Sequence, residues 1–294
     1  HGLENRQILK NMLCVRYQSD KKGITVNEDA LPVGYTYDKI MHKEDYDSLT
    51  PLERQAALLE YAVLDEDGEK ILEQQEKTFE NGKSPSDDTI THGDLKITES
   101  DRASYKGSRL KGKKHGKINL KFRTEKKSET YLVLKGLSSR SKVRKKQILS
   151  VKSKKARFEI PMCAVSNEKE MNRDFIAVNL GVAQMGTCSL CFHKSHTYKL
   201  NDMEIRGISE SFIKEQTKER REESMTEVKQ STNRISGKIS VSEDKILQLA
   251  VPYSEGWHIY IDGKEAKTFT SSVAYTGVLI EKGEHTVEMH YISP

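Results

Sequence analysis

Apolar and polar residues alternate with a period of two through much of this chain, and the alternation is cleanest in residues 249–294. From Trp257, Ile259 and Ile261 fall on one face and His258, Tyr260 and Asp262 on the other. After Gly283, the residues His285, Val287, Met289 and Tyr291 share a face opposite Thr286, Glu288 and His290. Successive side chains of a strand point to opposite sides, so the pattern predicts a half-buried antiparallel sheet. Asp262-Gly263 lies between two such runs and predicts a two-residue hairpin, because a type I′ turn needs positive φ at both central positions. Apolar runs at 118–123, 131–134, 148–151, 156–160, 175–180, 187–192, 197–200 and 204–208 predict further short strands. Strands spaced in this way argue for β-sandwich or jelly-roll layers.

A helical period replaces the strand period in a few places. Residues 2–17 have a loose helical pattern that passes into a strand. Thr50 followed by Pro51 and Glu53 is a capping signal, and Leu52, Ala56, Leu59 and Val63 then form an apolar stripe. Residues 65–101 are acidic and polar; part (71–79) is expected to be helical and much of the rest to be linker. Residues 209–225 carry Glu215, Lys218, Glu219, Arg220, Arg221, Glu222 and Glu223, with only Phe212 and Ile213 apolar before Met225. That reads as a solvated helix separating two β blocks. The expected fold class is mainly β with some α: two β-sandwich or jelly-roll-like blocks plus a small N-terminal α/β segment. The expected division is residues 1–101 as that segment with its acidic linker, 102–208 as the first β block, 209–228 as a charged linker helix and 229–294 as the second block.

Composition narrows the class. Of 294 residues, 35% are hydrophobic and 32% charged, which favours modest cores under well-solvated surfaces. No apolar run approaches the roughly 18 residues of a membrane span, and there is no charged-then-apolar leader, so the chain as given is expected to be soluble. Net charge is only +5, yet residues 106–155 hold 19 Lys and Arg against two acids, while residues 38–101 are strongly acidic. Such asymmetry marks one region as an attractor of polyanions. The four cysteines, Cys14, Cys163, Cys188 and Cys191, are too few to form a disulfide scaffold in a chain of this length.

Candidate chemistry is sparse. Cys188 and Cys191 followed by His193 and His196 offer zinc-like ligands, but residues three apart in a strand face opposite ways, so buried strand cysteines are expected instead. Trp257 with Tyr253 and Tyr260 is a candidate sugar-stacking platform; the plainer reading of the chain's single Trp is a core residue. The basic block contributes Lys111, Lys113, Lys114, Arg144, Lys145 and Lys146 as candidate polyanion contacts, against the plainer reading of a solvated face. Nucleic acid is not expected, because aromatics are rarely interleaved there and no nucleic-acid signature is present. Glu255, Asp262, Glu265 and Glu284 lie near turns, where acids are common. GxSxG, HExxH, P-loop and GxGxxG patterns are missing. No catalytic residue, metal or cofactor is expected.

Several segments together resemble a known family. "PYSEGWHIYIDGKEAK", "GVLIEKGEHTVEMHY" and the closing "ISP" are similar to the end of the extracytoplasmic region of YfhO-type bacterial membrane proteins. "NRQILKNMLCVRY", "ALPVGYTYDKI" and "LTPLERQAALLEYAVLD" resemble the segment after that family's membrane helices. The resemblance spans most of the chain and involves no catalytic motif. It implies an excised extracytoplasmic piece at the cell membrane, with spanning helices before His1 and after Pro294. It also implies a relation to membrane glycosyltransferases that modify Gram-positive wall polymers such as lipoteichoic acid. Whether the parent is an active enzyme stays open. The implied partners are the membrane-spanning part of the same protein and an anionic wall polymer or anionic lipid headgroups. The alternatives are a purely structural ectodomain and a secreted carbohydrate-active β-sandwich protein.

Overall fold

The computed structural model describes residues 6–20, 23–86, 88–139, 147–154, 157–162 and 172–293. The chain is mainly β with some α, as the alternation predicts. Residues 88–212 form the body of one compact unit, and residues 7–86 together with 213–293 form a second.

The first unit is built on a single sheet. Its strands run in the order Arg157–Met162, Gln147–Ser153, Asn172–Phe192, Arg109–Ser139, Asp202–Ser209 and Ile90–Lys106, with His196–Lys199 parallel to Arg109–Ser139. The runs expected at 118–123 and 131–134 are parts of one 31-residue strand. The polar stretch between them reads as a turn, but Ser128 is paired on both sides, with Ala183 and Ser209, so cross-strand pairing overrides local propensity. Register shifts between Asn179 and Gly181 and between Ala183 and Met185 bend the sheet, as bulges do. The short strand His196–Lys199 lies against residues 110–112 and also against Ser139, so the two ends of the long strand meet and the sheet curls into a half-barrel. Its inward face carries Ile118, Leu120, Leu132, Leu134, Leu149, Ile160, Leu190 and Phe192 as one core.

The second unit is a sandwich. One sheet has the order Thr226–Gln230, Arg234–Val241, Gly283–Tyr291, Trp257–Ile261, Lys264–Glu265. The other has the order Gly34–Tyr37, Lys245–Pro252, Tyr275–Ile280, Thr268–Ser271, Ala62–Leu64, Lys39–His42, Glu80–Asn81. Ile235, Ile239, Ile259, Val287 and Met289 from the first sheet meet Leu247, Leu249, Val278 and Ile280 from the second in a shared core. Met41 and Val63 of the second sheet also pack with Tyr46 and Ala57 of the helices Lys43–Ser48 and Pro51–Glu60. The capping signal acts at the second helix: the Glu53 carboxylate accepts the Thr50 N–H at 2.8 Å.

These units do not follow the linear division of the chain. Gly34–Tyr37 pairs with Lys245–Pro252, and Ala62–Leu64 with Thr268–Ser271, so the N-terminal segment completes a sheet of the last block. The strand Ile90–Lys106 runs through the expected boundary at 101/102 and converts much of the expected linker into sheet. The helix Glu210–Glu222 buries Ile213, Thr217 and Arg220, spaced four and three apart on one face. Two of those three are polar, so a search for apolar period passes over the stripe. The Arg220 guanidinium donates to the Thr36 carbonyl at 3.1 Å, pairs with Asp38 at 3.2 Å and lies 4.8 Å from the Tyr37 ring centroid.

Candidate functional site

Strand alternation sorts the basic block. Leu110, Gly112, Ile118, Leu120 and Phe122 are buried, so Arg109, Lys111, Lys113, Lys117, Lys121 and Arg123 are exposed on the outer face. Lys114 is exposed next to His115, whose φ of 63° breaks the regular strand, and its backbone N–H donates to Ser195 Oγ at 3.0 Å. Arg144, Lys145 and Lys146 lie outside the described residues. The block is not uniform. Lys126 pairs with Asp88 at 3.1 Å, Lys127 with Glu210 at 2.9 Å and Lys135 with Glu204 at 2.8 Å. No ion pair among the described residues holds Lys111, Lys113, Lys117 or Lys121.

Register then places like charges opposite one another. Lys96 stands directly across from Lys121, and Lys199 directly across from Arg109. Directly opposed like charges destabilise a sheet. A groove of about 320 Å³ beside the first pair is lined by Asp94, Lys96, Lys121, Phe122, Arg123 and Met185. Acids share part of this face: Asp94 is opposite Arg123 and Asp101 opposite Lys117. Lys96 and Lys199 escaped the sequence reading because one lies in the acidic stretch and the other beyond the basic block. Only register brings them beside it.

The candidate aromatics lie in the second unit. Asp262 and Gly263 both have positive φ, 51° and 78°, the hairpin turn that their sequence predicts. Trp257 and Ile261 pack against the sandwich core beside fully buried Ile259, which supports the core reading of the Trp in part. Its ring also meets Tyr291 edge-on, with centroids 5.1 Å apart. Gly256 permits this approach, because a Cβ there would come within 2.7 Å of the Ile292 carbonyl oxygen. Trp257 nevertheless stays half-buried and lines an open groove of about 540 Å³ with Tyr253, which is 39% exposed. Glu255, His258, Glu265 and Lys267 also line it, and His258 Nδ1 is 2.7 Å from Glu265 Oε1. The outward-facing pattern from His258 was visible in the sequence; its pairing with Glu265 follows from the hairpin.

The cysteine–histidine cluster does not converge. Cys188 is buried in the half-barrel core, and burial pushes its thiol up to about 12. Cys191 sits on the opposite face of the same strand, half-buried. His193 Nε2 contacts Ser150 Oγ at 3.1 Å, and His196 Nε2 contacts Ser139 Oγ at 2.8 Å. Cys14, Cys188 and Cys191 are free thiols. Of the acids near turns, Asp262 is bound to His285 and Glu265 to His258.

Comparison with known proteins adds the family. A sequence model described as bacterial membrane protein YfhO matches residues 4–294. The chain belongs to the YfhO family. Within it, the uncharacterised protein YfhO of Bacillus subtilis (strain 168) is 25% identical over 117 residues, 40% of this chain and 14% of that relative. The chain therefore aligns with only a small part of that curated YfhO protein. Among solved structures, a Paenibacillus cycloisomaltooligosaccharide glucanotransferase is 8% identical with a TM-score of 0.26, covering 69% of this chain and 45% of that one. The arabinofuranosyltransferase AftD from Mycobacteria is 7% identical with a TM-score of 0.21, covering 70% and 24%. No helix among the described residues of this YfhO chain is long and apolar enough to cross a membrane.

Proposed function

We propose that this chain is the extracytoplasmic, non-catalytic part of a YfhO-family membrane protein that glycosylates an anionic wall polymer such as lipoteichoic acid. In this reading its basic strand holds the acceptor, and its own membrane-spanning part is its other partner. The observation that carries the reading is the placing of Lys96 opposite Lys121 and Lys199 opposite Arg109, with Lys121 making no ion pair among the described residues. Opposed cations reduce sheet stability, and a phosphate-bearing chain lying across them would remove the repulsion. The groove lined by Lys96, Lys121 and Arg123, with Asp94 across from Arg123, offers its two lysines to one phosphate.

The test is binding of the chain to purified lipoteichoic acid across a salt series, with heparin and anionic phospholipid vesicles as rival polyanions. Preference for the teichoic polymer, weakening steeply with salt and lost in Lys121→Glu, supports acceptor holding. Equal or tighter binding to vesicles assigns the face to lipid headgroups. No binding at low salt removes the proposal.

A second reading, a structural ectodomain seated on its membrane part, has its own observation. The hairpin Tyr17–Asp20 and Gly23–Val26 exposes Tyr17 (64%), Ile24 (72%) and Val26 (49%), and cross-strand pairing of Tyr17 with Val26 and Ser19 with Ile24 puts these side chains on one face. Two-stranded ribbons rarely stand alone in water. Loss of assembly with the membrane part in Ile24→Ser, with polymer binding intact, would favour this role.

A further inference from the structure

We infer that the groove at the edge of the sandwich, walled by Trp257 and Tyr253 and rimmed by Glu255, His258, Glu265 and Lys267, is a binding site for one ring of an uncharged hexopyranose. It shares no residue with the groove on the basic strand. The groove, about 540 Å³, falls within the roughly 300–1,000 Å³ of small-ligand clefts. It forms where the strand Trp257–Ile261 runs past its short partner Lys264–Glu265, which pairs only with Tyr260 and Ile261. The sheet is open beside Trp257, so the indole reaches from the core into the groove.

Three features specify a sugar. The first is aromatic: Trp257 is held edge-on by Tyr291, and Tyr253 is exposed beside it, so flat apolar surface is presented in a fixed orientation. The C–H face of a pyranose fits such a surface, and an open-chain polyol does not. The second is the indole N–H, which has no hydrogen-bond partner among the described residues and is not fully buried, so it is an available donor. The third is the rim. Glu265 is oriented by His258 at 2.7 Å, Lys267 by Gln74 at 2.9 Å, and Glu255 has no protein partner among the described residues. Carboxylates accept from paired hydroxyls, and the ammonium and indole donate to them. Two carboxylates around one lysine repel phosphate, and this charged rim opposes burial of an apolar peptide.

Trp257 is the only tryptophan in the chain, so its fluorescence reports on this groove alone. The experiment titrates the chain with methyl glycosides of D-glucose, D-galactose and N-acetyl-D-glucosamine, with sorbitol as the open-chain control. A saturable change in emission is expected with at least one ring sugar and none with sorbitol. It should persist across the salt series that abolishes lipoteichoic acid binding, so failure of either proposal is seen separately. Tyr253→Ala and Glu265→Gln, both at exposed positions, should each weaken the response about tenfold. Unchanged far-UV circular dichroism and unfolding midpoint will show that both variants fold. No saturable response with any ring sugar, an equal response to sorbitol, or a response unaffected by both substitutions would overturn the assignment.

Discussion

His285 shows how much a single residue can fix. Its Nδ1 is 2.7 Å from Asp262 Oδ2 and its Nε2 is 2.9 Å from the Glu281 carbonyl, so both ring nitrogens face acceptors and the doubly protonated ring satisfies both. Burial pulls its pKa down, but the Asp262 carboxylate and the Glu281 carbonyl outweigh this and hold it above the ordinary value. Asp262 is held below the usual carboxylate range by the Thr286 N–H and by His285. The signs follow. The His285 contribution is complete below about pH 6.5 and is lost as pH rises through the raised folded value; the Asp262 contribution is present above about pH 4 and is lost as pH falls. NMR titration should put the His285 midpoint above that of a free histidine, and Asp262→Asn should bring it down. A midpoint at or below the free value would refute the charged pair. Arg220 acts by burial. Its side chain is 3% exposed, its guanidinium is shared among Thr36, Asp38, Glu219 and Tyr37, and its Nε has no hydrogen-bond partner among the described residues. Arg220→Ala should lower unfolding stability by about 2–4 kcal/mol in urea, and Arg220→Lys should restore little, because an ammonium cannot reproduce the planar fork.

At the scale of elements, local chemistry and pairing register do different work. Positive φ at both turn residues makes the Asp262-Gly263 hairpin a local decision. Gly263→Ala should cost about 1–2 kcal/mol, measured by urea unfolding, although no atom beyond its chain neighbours lies within 4 Å of the added methyl position. An unchanged midpoint would show that the turn is not strained by a side chain. The half-barrel strands present the opposite case, where function and stability separate. Lys121→Glu turns the opposed Lys96 and Lys121 into an attracting pair, so it should raise stability by about 0.2–1 kcal/mol. The same change should abolish acceptor binding if the face holds a polyanion. A loss of both would point to a structural lysine.

For the whole molecule, the sheets dictate which pieces can stand alone. Residues 88–212 enclose their own core of Leu, Ile, Val and Phe side chains, so that stretch made alone should unfold cooperatively. Residues 229–294 lack Gly34–Tyr37 and Ala62–Leu64, which pair with Lys245–Pro252 and Thr268–Ser271. That piece should be unfolded or aggregated by circular dichroism and gel filtration, and co-expression with residues 7–86 and 213–228 should rescue it. Independent folding of residues 229–294 would mean that the shared sheet contributes little.

Sequence alone determined the β character, the faces of the last strands, the hairpin turn and the cap at Thr50, because each depends on side-chain period or on neighbours within a few residues. It also yielded Tyr253, Trp257, Lys111, Lys113 and Lys114 as candidates, and the resemblance that led to the family. Tertiary structure alone decided which strands pair. It placed Lys96 across from Lys121, split the basic lysines into paired and unpaired sets, and set Glu265 beside His258 at the groove. It also joined strands more than 200 residues apart into one sheet, as with Thr36 beside Leu247. The reason is physical: alternation states that one face of a strand is buried, but backbone hydrogen bonds are the same for every residue type, so the partner is chosen by the packing of the whole core.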